Sequence, residues 1–211
     1  QGRMVSKTEL AREAIHIERE VLAEHVGIQD QIQTAHGGIN RIDITRDGGF
    51  NVQPLVLGEE RVRDLQRHIL LFYTGVARSA SEIARAQIAA IPHNLDDLHT
   101  LRQMVDEAVE LLCHRGDFAA LGELLHQSWL LKQGLTPAVA PAFVGDIYQR
   151  ARSAGAYGGK LMGAGGGGFI MFLVPPEKRQ SVLDAMAELL AVPIGFDDFG
   201  SGNTVYGNVF E

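Results

Sequence analysis

The stretch GGKLMGAGGGGFIMFLV, residues 158–174, decides the fold assignment, because a loop almost bare of side chains runs directly into an apolar segment. Residues 163–168 satisfy the GxGxxG spacing of a dinucleotide-binding loop, but that motif has to follow a strand and open a helix. Residues 169–174 are instead β-branched and aromatic and end at two prolines, which predicts a buried strand. A Walker A loop is excluded too, because Lys160 precedes the glycines and no Gly-Lys-Ser/Thr ends them.

The four consecutive glycines at 165–168 need a reason of their own. Glycine loses more backbone entropy on folding than any other residue, so an ordinary turn does not need such a run. The run predicts a close approach of this backbone, either to a ligand or to another backbone. With a ligand, the successive N–H groups would form an anion-binding concavity.

Composition narrows the classes of function. The chain has 211 residues, of which 45% are hydrophobic, and a net charge of −7, which argues against a nucleic-acid partner. Cys113 is the only cysteine, so an intrachain disulfide and a multi-cysteine zinc site are excluded and a reducing, cytoplasmic location is expected. The sequence contains no apolar run of membrane-spanning length and no signal-peptide pattern, so we expect no membrane partner.

Hydrophobic periodicity predicts an α+β domain in which helices lie beside a few non-adjacent strands. A Ser6/Glu9 capping box opens the first helix. The predicted elements are helices at about 6–23, 79–91 and 177–190, a short helix-like stretch after residues 27–31 that ends at Gly37 and Gly38, three helices between 94 and 154, a hairpin of 39–45 with 50–55, and strands at 68–74, 169–174, 193–196 and 203–210.

Two acidic residues near the start are candidates for chemistry. Asp30 follows Gly27 and precedes a short helix, so it is either a helix N-cap or a base that orients a substrate hydroxyl. Glu18 and Glu20 lie on the first helix, and Glu18 is on its more apolar side, where a carboxylate tends to have a partner or bind a cation; the alternative is a solvent-facing glutamate, as is usual on helices. The sequence leaves both pairs of alternatives open.

The turn after the strand at 68–74 is a third candidate. Thr74, Gly75 and Arg78 offer a hydroxyl, backbone N–H groups and a guanidinium to an anion or a sugar hydroxyl. Ser79 capping the next helix is an equally good explanation of the same turn. Lys132 and Arg115 end helices, where the helix dipole favours cations, so we interpret them as structural.

With these motifs in place, the chain resembles the GHMP kinases, and most specifically their heptose 7-phosphate kinase branch. Residues 160–169, KLMGAGGGGF, resemble the family's C-terminal motif, and residues 27–31, GIQDQ, resemble the segment that carries its catalytic aspartate. Residues 72–79 and 126–132 are similar to segments of the heptose kinases. Glu18 precedes Asp30 by 30 − 18 = 12 residues, where galactokinases place a magnesium-binding glutamate.

The resemblance implies an assignment of roles. Asp30 would be catalytic, Glu18 would bind Mg²⁺, and substrate contacts would come from Thr74, Gly75 and Arg78. ATP phosphates would meet the backbone around the glycine loop, at Lys160, Gly163, Ala164, Gly165, Gly166, Gly167 and Gly168. The family's first motif and its serine-rich ATP loop would precede Ser6 in a longer chain, since neither lies in these 211 residues.

The resemblance also implies the domain organisation. Residues 1–60 would be the end of an N-terminal domain of ribosomal-S5-like fold, and residues 61–211 a ferredoxin-like GHMP kinase C-terminal domain.

The implied activity is an ATP-dependent sugar kinase that converts D-glycero-D-manno-heptose 7-phosphate to the 1,7-bisphosphate, in the synthesis of nucleotide-activated heptose. The implied partners are therefore a small sugar phosphate and ATP, with a homodimer left open. The alternatives are a galactokinase or fucokinase type of sugar kinase, and a non-catalytic fragment that only binds a sugar phosphate.

Overall fold

The computed structural model describes residues 5–76, 80–114 and 116–202, and its mixture of helices and antiparallel strands confirms the α+β class. In the described residues no helix has both the length and the apolar character that a membrane span requires. The helices and strands are, in chain order, α1 (Lys7–His16), a π-helical turn (Ile17–Val21), α2 (Gln29–His36), β1 (Asn40–Ile44), β2 (Phe50–Pro54), α3 (Glu59–His68), β3 (Ile69–Tyr73), α4 (Ala80–Ala90), α5 (Leu95–Cys113), α6 (Phe118–Leu135), α7 (Ala142–Ser153), β4 (Gly158–Leu161), β5 (Phe169–Leu173), α8 (Arg179–Ala185) and β6 (Leu190–Val192), with 3₁₀ turns at Ile91–His93 and Pro176–Lys178.

The chain divides into two compact units. The first unit comprises the described residues of Gln1–Leu55 and Phe196–Glu211, and the second is Val56–Gly195. These units are defined by contacts within the chain, and the predicted domain organisation of 1–60 and 61–211 stays a prediction.

Hydrogen bonds to main-chain carbonyls explain why the segment from Phe196 belongs to the first unit. The N–H of Gly38 donates to Asp197 O at 2.6 Å, and the Lys7 ammonium donates to Phe199 O at 2.7 Å. Glycine at 37 permits this contact, because a Cβ there would lie only 2.1 Å from Gly200 N. Predicted strand 203–210 lies outside the described residues.

The first unit packs α1 and α2 against the β1–β2 hairpin. The Ser6 hydroxyl accepts from Glu9 N while the Glu9 carboxylate accepts from Ser6 N, which confirms the predicted capping box. The buried core of this unit consists of small and branched side chains, namely Ala11, Ile28, Ile32 and Ala35.

The second unit is built on a four-stranded antiparallel sheet with strand order β4-β5-β3-β6. Its central strands β3 and β5 read Ile69-Leu-Leu-Phe-Tyr and Phe169-Ile-Met-Phe-Leu, apolar in both cases, as a central and largely buried strand requires. Leu70 pairs with Phe172 and Phe72 with Ile170, which places these side chains in the core.

A buried aromatic group joins the helices to this sheet. Trp129 of α6 stacks on Tyr148 of α7 with ring centroids 5.8 Å apart, and Tyr148 packs against Phe172 of β5 at 5.7 Å. The Tyr148 hydroxyl lies 2.8 Å from His126 Nδ1. Burial raises the pKa of Tyr148 to about 12 and lowers that of His126, so near neutral pH a protonated phenol can donate to a neutral imidazole.

Two glycines let helix α6 lie directly on strand β4. A Cβ added at Gly158 would be 1.9 Å from Gly122 O, and one added at Gly122 would be 2.2 Å from the Tyr157 Cβ. Real Cβ atoms do not approach other atoms so closely, so the helix and strand would have to separate to accommodate either methyl group.

We therefore predict that Gly122→Ala destabilises the protein by about 1–3 kcal/mol through overpacking. Gly145→Ala in α7 is the matched control, because a Cβ there meets nothing within 4 Å. This second change should be neutral or stabilising by up to about 1 kcal/mol, since alanine favours a helix over glycine. Urea unfolding measures both; equal effects of the two variants would refute the close α6–β4 contact.

Candidate functional site

The glycine loop, residues 163–168, is the tip of a β-hairpin in the second unit. Strands β4 and β5 pair up to Leu161 and Ile170, and Met162 N donates to Phe169 O at 2.8 Å to close the ladder. The sequence prediction treated residues 158–161 as part of the loop, whereas they form β4. The glycines are therefore held between two paired strands.

Part of the loop's glycine content is explained by contact with other backbone. Gly166 N donates to Val139 O at 2.9 Å, and a Cβ at Gly165 would lie 2.9 Å from the same oxygen. Gly168 N donates to Val76 O at 2.7 Å. The N–H groups of Gly166 and Gly168 are thus hydrogen-bonded within the fold, and a contact of these two glycines with phosphate stays a prediction.

Other positions of the loop have open space around them. A Cβ at Gly163 or at Gly168 would meet nothing within 4 Å, but both residues have positive φ, at 69° and 87°. Glycine is favoured at these two positions by backbone conformation rather than by crowding. The exposed tip at Gly163 leaves room for a ligand on this side of the hairpin.

Two side chains that sequence reasoning did not connect to the loop hold its carbonyl groups. Lys132 Nζ donates to Gly163 O at 2.8 Å, and Gln87 Nε2 donates to Ala164 O at 2.5 Å. Lys132 was interpreted as a helix-end cation and Gln87 was not singled out. No local pattern points to either contact, because the partners are 31 and 77 residues apart in the chain.

The turn after β3 contacts the same loop. Thr74 is 7% exposed, and both its N–H and its hydroxyl donate to Gly168 O, at 2.8 and 2.9 Å. Its hydroxyl therefore anchors the loop, and a substrate contact at Thr74 stays a prediction. Gly75 is exposed with φ of 77°, whereas Arg78 lies outside the described residues.

Lys160 lies within β4, where it pairs with Met171 of β5. Its side chain is half-buried, three residues before the tip at Gly163. The predicted contact of Lys160 with phosphate stays a prediction.

The first unit holds the two predicted acidic residues. Asp30 is the second residue of α2 and is exposed, while the residue at the N-cap position is Ile28. The N-cap interpretation of Asp30 is therefore wrong. A carboxylate in the first turn interacts favourably with the helix dipole, which provides a structural reason for Asp30 alongside the catalytic one.

Glu18 lies in the π-helical turn that follows α1 and is half-buried. Its Oε2 accepts a hydrogen bond from Gln31 Nε2 at 2.5 Å. Glu18 therefore has a polar partner, and Glu20, two residues later, is exposed. Single π-helical turns occur often at functional sites, and this one displaces Glu18 from a regular α-helical position.

Gln31, the hydrogen-bond partner of Glu18, has an unusual environment. Its other side-chain atom, Oε1, is buried without a hydrogen-bond partner in the described structure. An unpaired buried acceptor costs roughly 1–3 kcal/mol, so retaining Gln31 beside Glu18 has an energetic cost. Within the described residues no cluster of three or more His, Cys, Asp or Glu is placed to hold a metal ion.

Comparison with known proteins gives the family. Residues 108–192 match the family model described as GHMP kinases C terminal. The chain carries a GHMP kinase C-terminal domain. The matched range contains the glycine loop, β4, β5 and Lys132. Thr74, Gln87 and the two acidic residues Glu18 and Asp30 precede it.

Relatives extend the similarity beyond the GHMP kinase C-terminal domain. A D-glycero-alpha-D-manno-heptose 7-phosphate kinase of Campylobacter jejuni is 32% identical over 180 residues, which are 84% of this chain and 53% of that protein. A mevalonate kinase of Pyrococcus abyssi is 28% identical over 83% of this chain and 50% of its own length. The chain thus spans about half the length of the curated relatives it matches.

Solved structures agree with this assignment. A D-glycero-D-manno-heptose 1-phosphate kinase from Bacteriodes thetaiotaomicron superposes with a TM-score of 0.72 at 25% identity, covering 97% of this chain and 57% of that one. A putative sugar kinase from Campylobacter jejuni gives a TM-score of 0.70 at 29% identity, over 93% and 56% of the two chains. The mixed helix and sheet fold therefore matches that of the GHMP kinase C-terminal domain, while a ribosomal-S5-like fold for residues 1–60 stays a prediction.

Proposed function

We propose that this chain is part of an ATP-dependent sugar kinase that phosphorylates the anomeric hydroxyl of D-glycero-D-manno-heptose 7-phosphate. The similarity to the Campylobacter jejuni heptose 7-phosphate kinase, at 32% identity over 84% of this chain, supports the proposal most directly. The product would be the 1,7-bisphosphate and ADP, as the γ-phosphoryl group moves from ATP to the sugar oxygen.

Phosphoryl transfer requires little covalent chemistry from a protein and depends on positioning and charge stabilisation. In this proposal, some N–H groups of the glycine loop face the phosphates. These are the N–H groups that the fold does not use for its own hydrogen bonds. Backbone N–H groups are suited to this task because they are fixed by the fold and need no reorganisation during the reaction.

Asp30 would orient the sugar hydroxyl and accept its proton as the oxygen attacks phosphorus. Its exposure at the start of α2 gives a substrate access to the carboxylate, and the sequence around it, Gly27-Ile-Gln-Asp-Gln, supports this role through its family resemblance.

Glu18 fits a magnesium ligand. Mg²⁺ takes oxygen ligands and is usually bound through one or two carboxylates, water and substrate phosphates, so a single glutamate is a sufficient protein contribution. Gln31 occupies only Oε2 of Glu18, which leaves Oε1 for a cation. When bound, Mg²⁺ neutralises charge on the transferring phosphates. Glu18 would hold it, and Gln31 would keep the carboxylate in one orientation.

The activity is tested with the full-length protein and with this chain alone, using mass spectrometry to detect ATP-dependent products. The acceptors are heptose 7-phosphate, galactose, fucose and mevalonate. We expect the full-length protein to convert heptose 7-phosphate fastest. Preference for galactose or fucose would favour the alternative sugar-kinase assignment, and sugar phosphate binding with no turnover would identify a non-catalytic binding protein.

Asp30→Asn should lower kcat by at least about 100-fold, because it removes the proton acceptor but keeps the side-chain shape. Asp96→Asn is the matched control, since Asp96 is also exposed and is also the second residue of its helix, α5. Steady-state kinetics should show normal turnover for the control. Near-normal turnover of Asp30→Asn would remove Asp30 from the mechanism.

Glu18→Gln should raise the Mg²⁺ concentration that gives half-maximal activity, on the order of tenfold, because an amide is a weaker cation ligand than a carboxylate. Glu20→Gln, two residues away and exposed, serves as the control and should leave the magnesium titration unchanged. The assignment of Glu18 fails if its variant titrates like the wild-type protein or if Glu20→Gln gives the larger shift.

A further inference from the structure

Two successive peptide groups at the start of the glycine loop are held by side chains from separate helices. Lys132 of α6 donates to the carbonyl of Gly163 at 2.8 Å, and Gln87 of α4 donates to the carbonyl of Ala164 at 2.5 Å. Both donors are half-buried, which limits the conformations that they can adopt.

Fixing a carbonyl also fixes the N–H group of the same peptide. In a trans peptide the C=O and the following N–H point in opposite directions within one plane, and no described peptide bond of this chain is cis. The Gly163 carbonyl shares its peptide with Ala164 N–H, and the Ala164 carbonyl shares its peptide with Gly165 N–H. These two N–H groups therefore point away from Lys132 and Gln87 respectively.

The amides of Ala164 and Gly165 differ from others in the loop. Gly166 N–H and Gly168 N–H donate to Val139 O and Val76 O, so the fold uses them. In the described parts of the chain the Ala164 N–H has no such backbone acceptor, and the Gly165 N–H faces Met162 O across the turn at Gly163–Ala164 without reaching ordinary hydrogen-bond geometry. Gly165 is also fixed by crowding, because a Cβ there would lie 2.9 Å from Val139 O.

We propose that Gln87 and Lys132 are positioning residues, which orient the Ala164 and Gly165 amides toward phosphate oxygens of the nucleotide. The proposal deepens the function proposed above and rests on it for the identity of the anion. Neither side chain touches the phosphates; each acts through the carbonyl that it holds. Preorientation is effective because an amide already aimed at the anion pays no ordering cost when the anion binds.

Lys132 and Gln87 differ in charge, so the effects of replacing them can be distinguished. Lys132 is a cation, so replacing it also weakens anion binding electrostatically, whereas Gln87 is neutral and contributes orientation alone. Gln87→Leu is therefore the decisive variant. Gln103→Leu is the matched control, because Gln103 is exposed on α5 and the same change there alters no loop contact.

The experiment follows the Ala164 and Gly165 amide resonances of the full-length protein by ¹⁵N–¹H NMR during titration with inorganic pyrophosphate. In the wild-type protein and in Gln103→Leu, both resonances should shift and saturate. In Gln87→Leu the apparent Kd should rise roughly tenfold, as expected for loss of about one well-aligned hydrogen bond to a charged group. The Gly165 resonance should show the larger loss of shift.

Two results would overturn the proposal. One is pyrophosphate binding by Gln87→Leu with wild-type Kd and wild-type shifts. The other is a wild-type protein whose Ala164 and Gly165 resonances do not respond to pyrophosphate. Kinase activity, measured on the same samples, reports separately on the proposed function, because an inactive protein can still bind pyrophosphate through these amides.

Lys132 supplies a second test that does not depend on the folding of Gln87→Leu. Lys132→Arg retains a charged donor and should restore most of the Ala164 shift that Lys132→Met loses. Equal Ala164 shifts in the two variants would contradict a positioning role for Lys132.

Discussion

The hydrogen bond from Gly166 N to Val139 O is the constraint on which the glycine loop depends. It holds the tip of the β4–β5 hairpin against the segment before α7, and the bond from Gly168 N to Val76 O holds it against the turn after β3. A Cβ is excluded at the neighbouring glycines, because it would lie 2.9 Å from Val139 O at Gly165 and 2.5 Å from Val76 O at Gly167. The glycines therefore shape the loop first, and a smaller number of N–H groups are left for a ligand.

In the first unit, the local structure holds the carboxylate of Glu18 in a fixed orientation. The π-helical turn shifts Glu18 from α-helical spacing, and Gln31 binds one of its oxygens at 2.5 Å. Gln31 does so although its own Oε1 remains buried and unpaired. The unpaired acceptor opposes folding, so this arrangement has an energetic cost. The cost is understandable if the orientation of Glu18 is needed for function.

The sequence predicts elements whose signals are local. The Ser6/Glu9 capping box, the hairpin around Asp47-Gly48 and the apolar strand β5 each follow from a few neighbouring residues.

Two elements were not predicted from the sequence. Helix α3 was missed because Leu65 is its only buried residue, so no apolar stripe marks it. Strand β4 was missed because pairing with β5 overrides the low strand propensity of Gly158-Gly159. The third of the helices predicted between 94 and 154, α7, follows Pro141 and begins at Ala142. Contacts of Gln87 and Lys132 with the loop depend on the tertiary fold and leave no trace in the local sequence.

A crystal structure of the full-length protein with heptose 7-phosphate, Mg²⁺ and a non-hydrolysable ATP analogue tests the account most directly. It should show the Asp30 carboxylate within about 3 Å of the anomeric hydroxyl, as a proton acceptor requires. The Ala164 and Gly165 amides should donate to phosphate oxygens in the same complex. A sugar phosphate bound away from Asp30, or a nucleotide that makes no contact with the glycine loop, would contradict it.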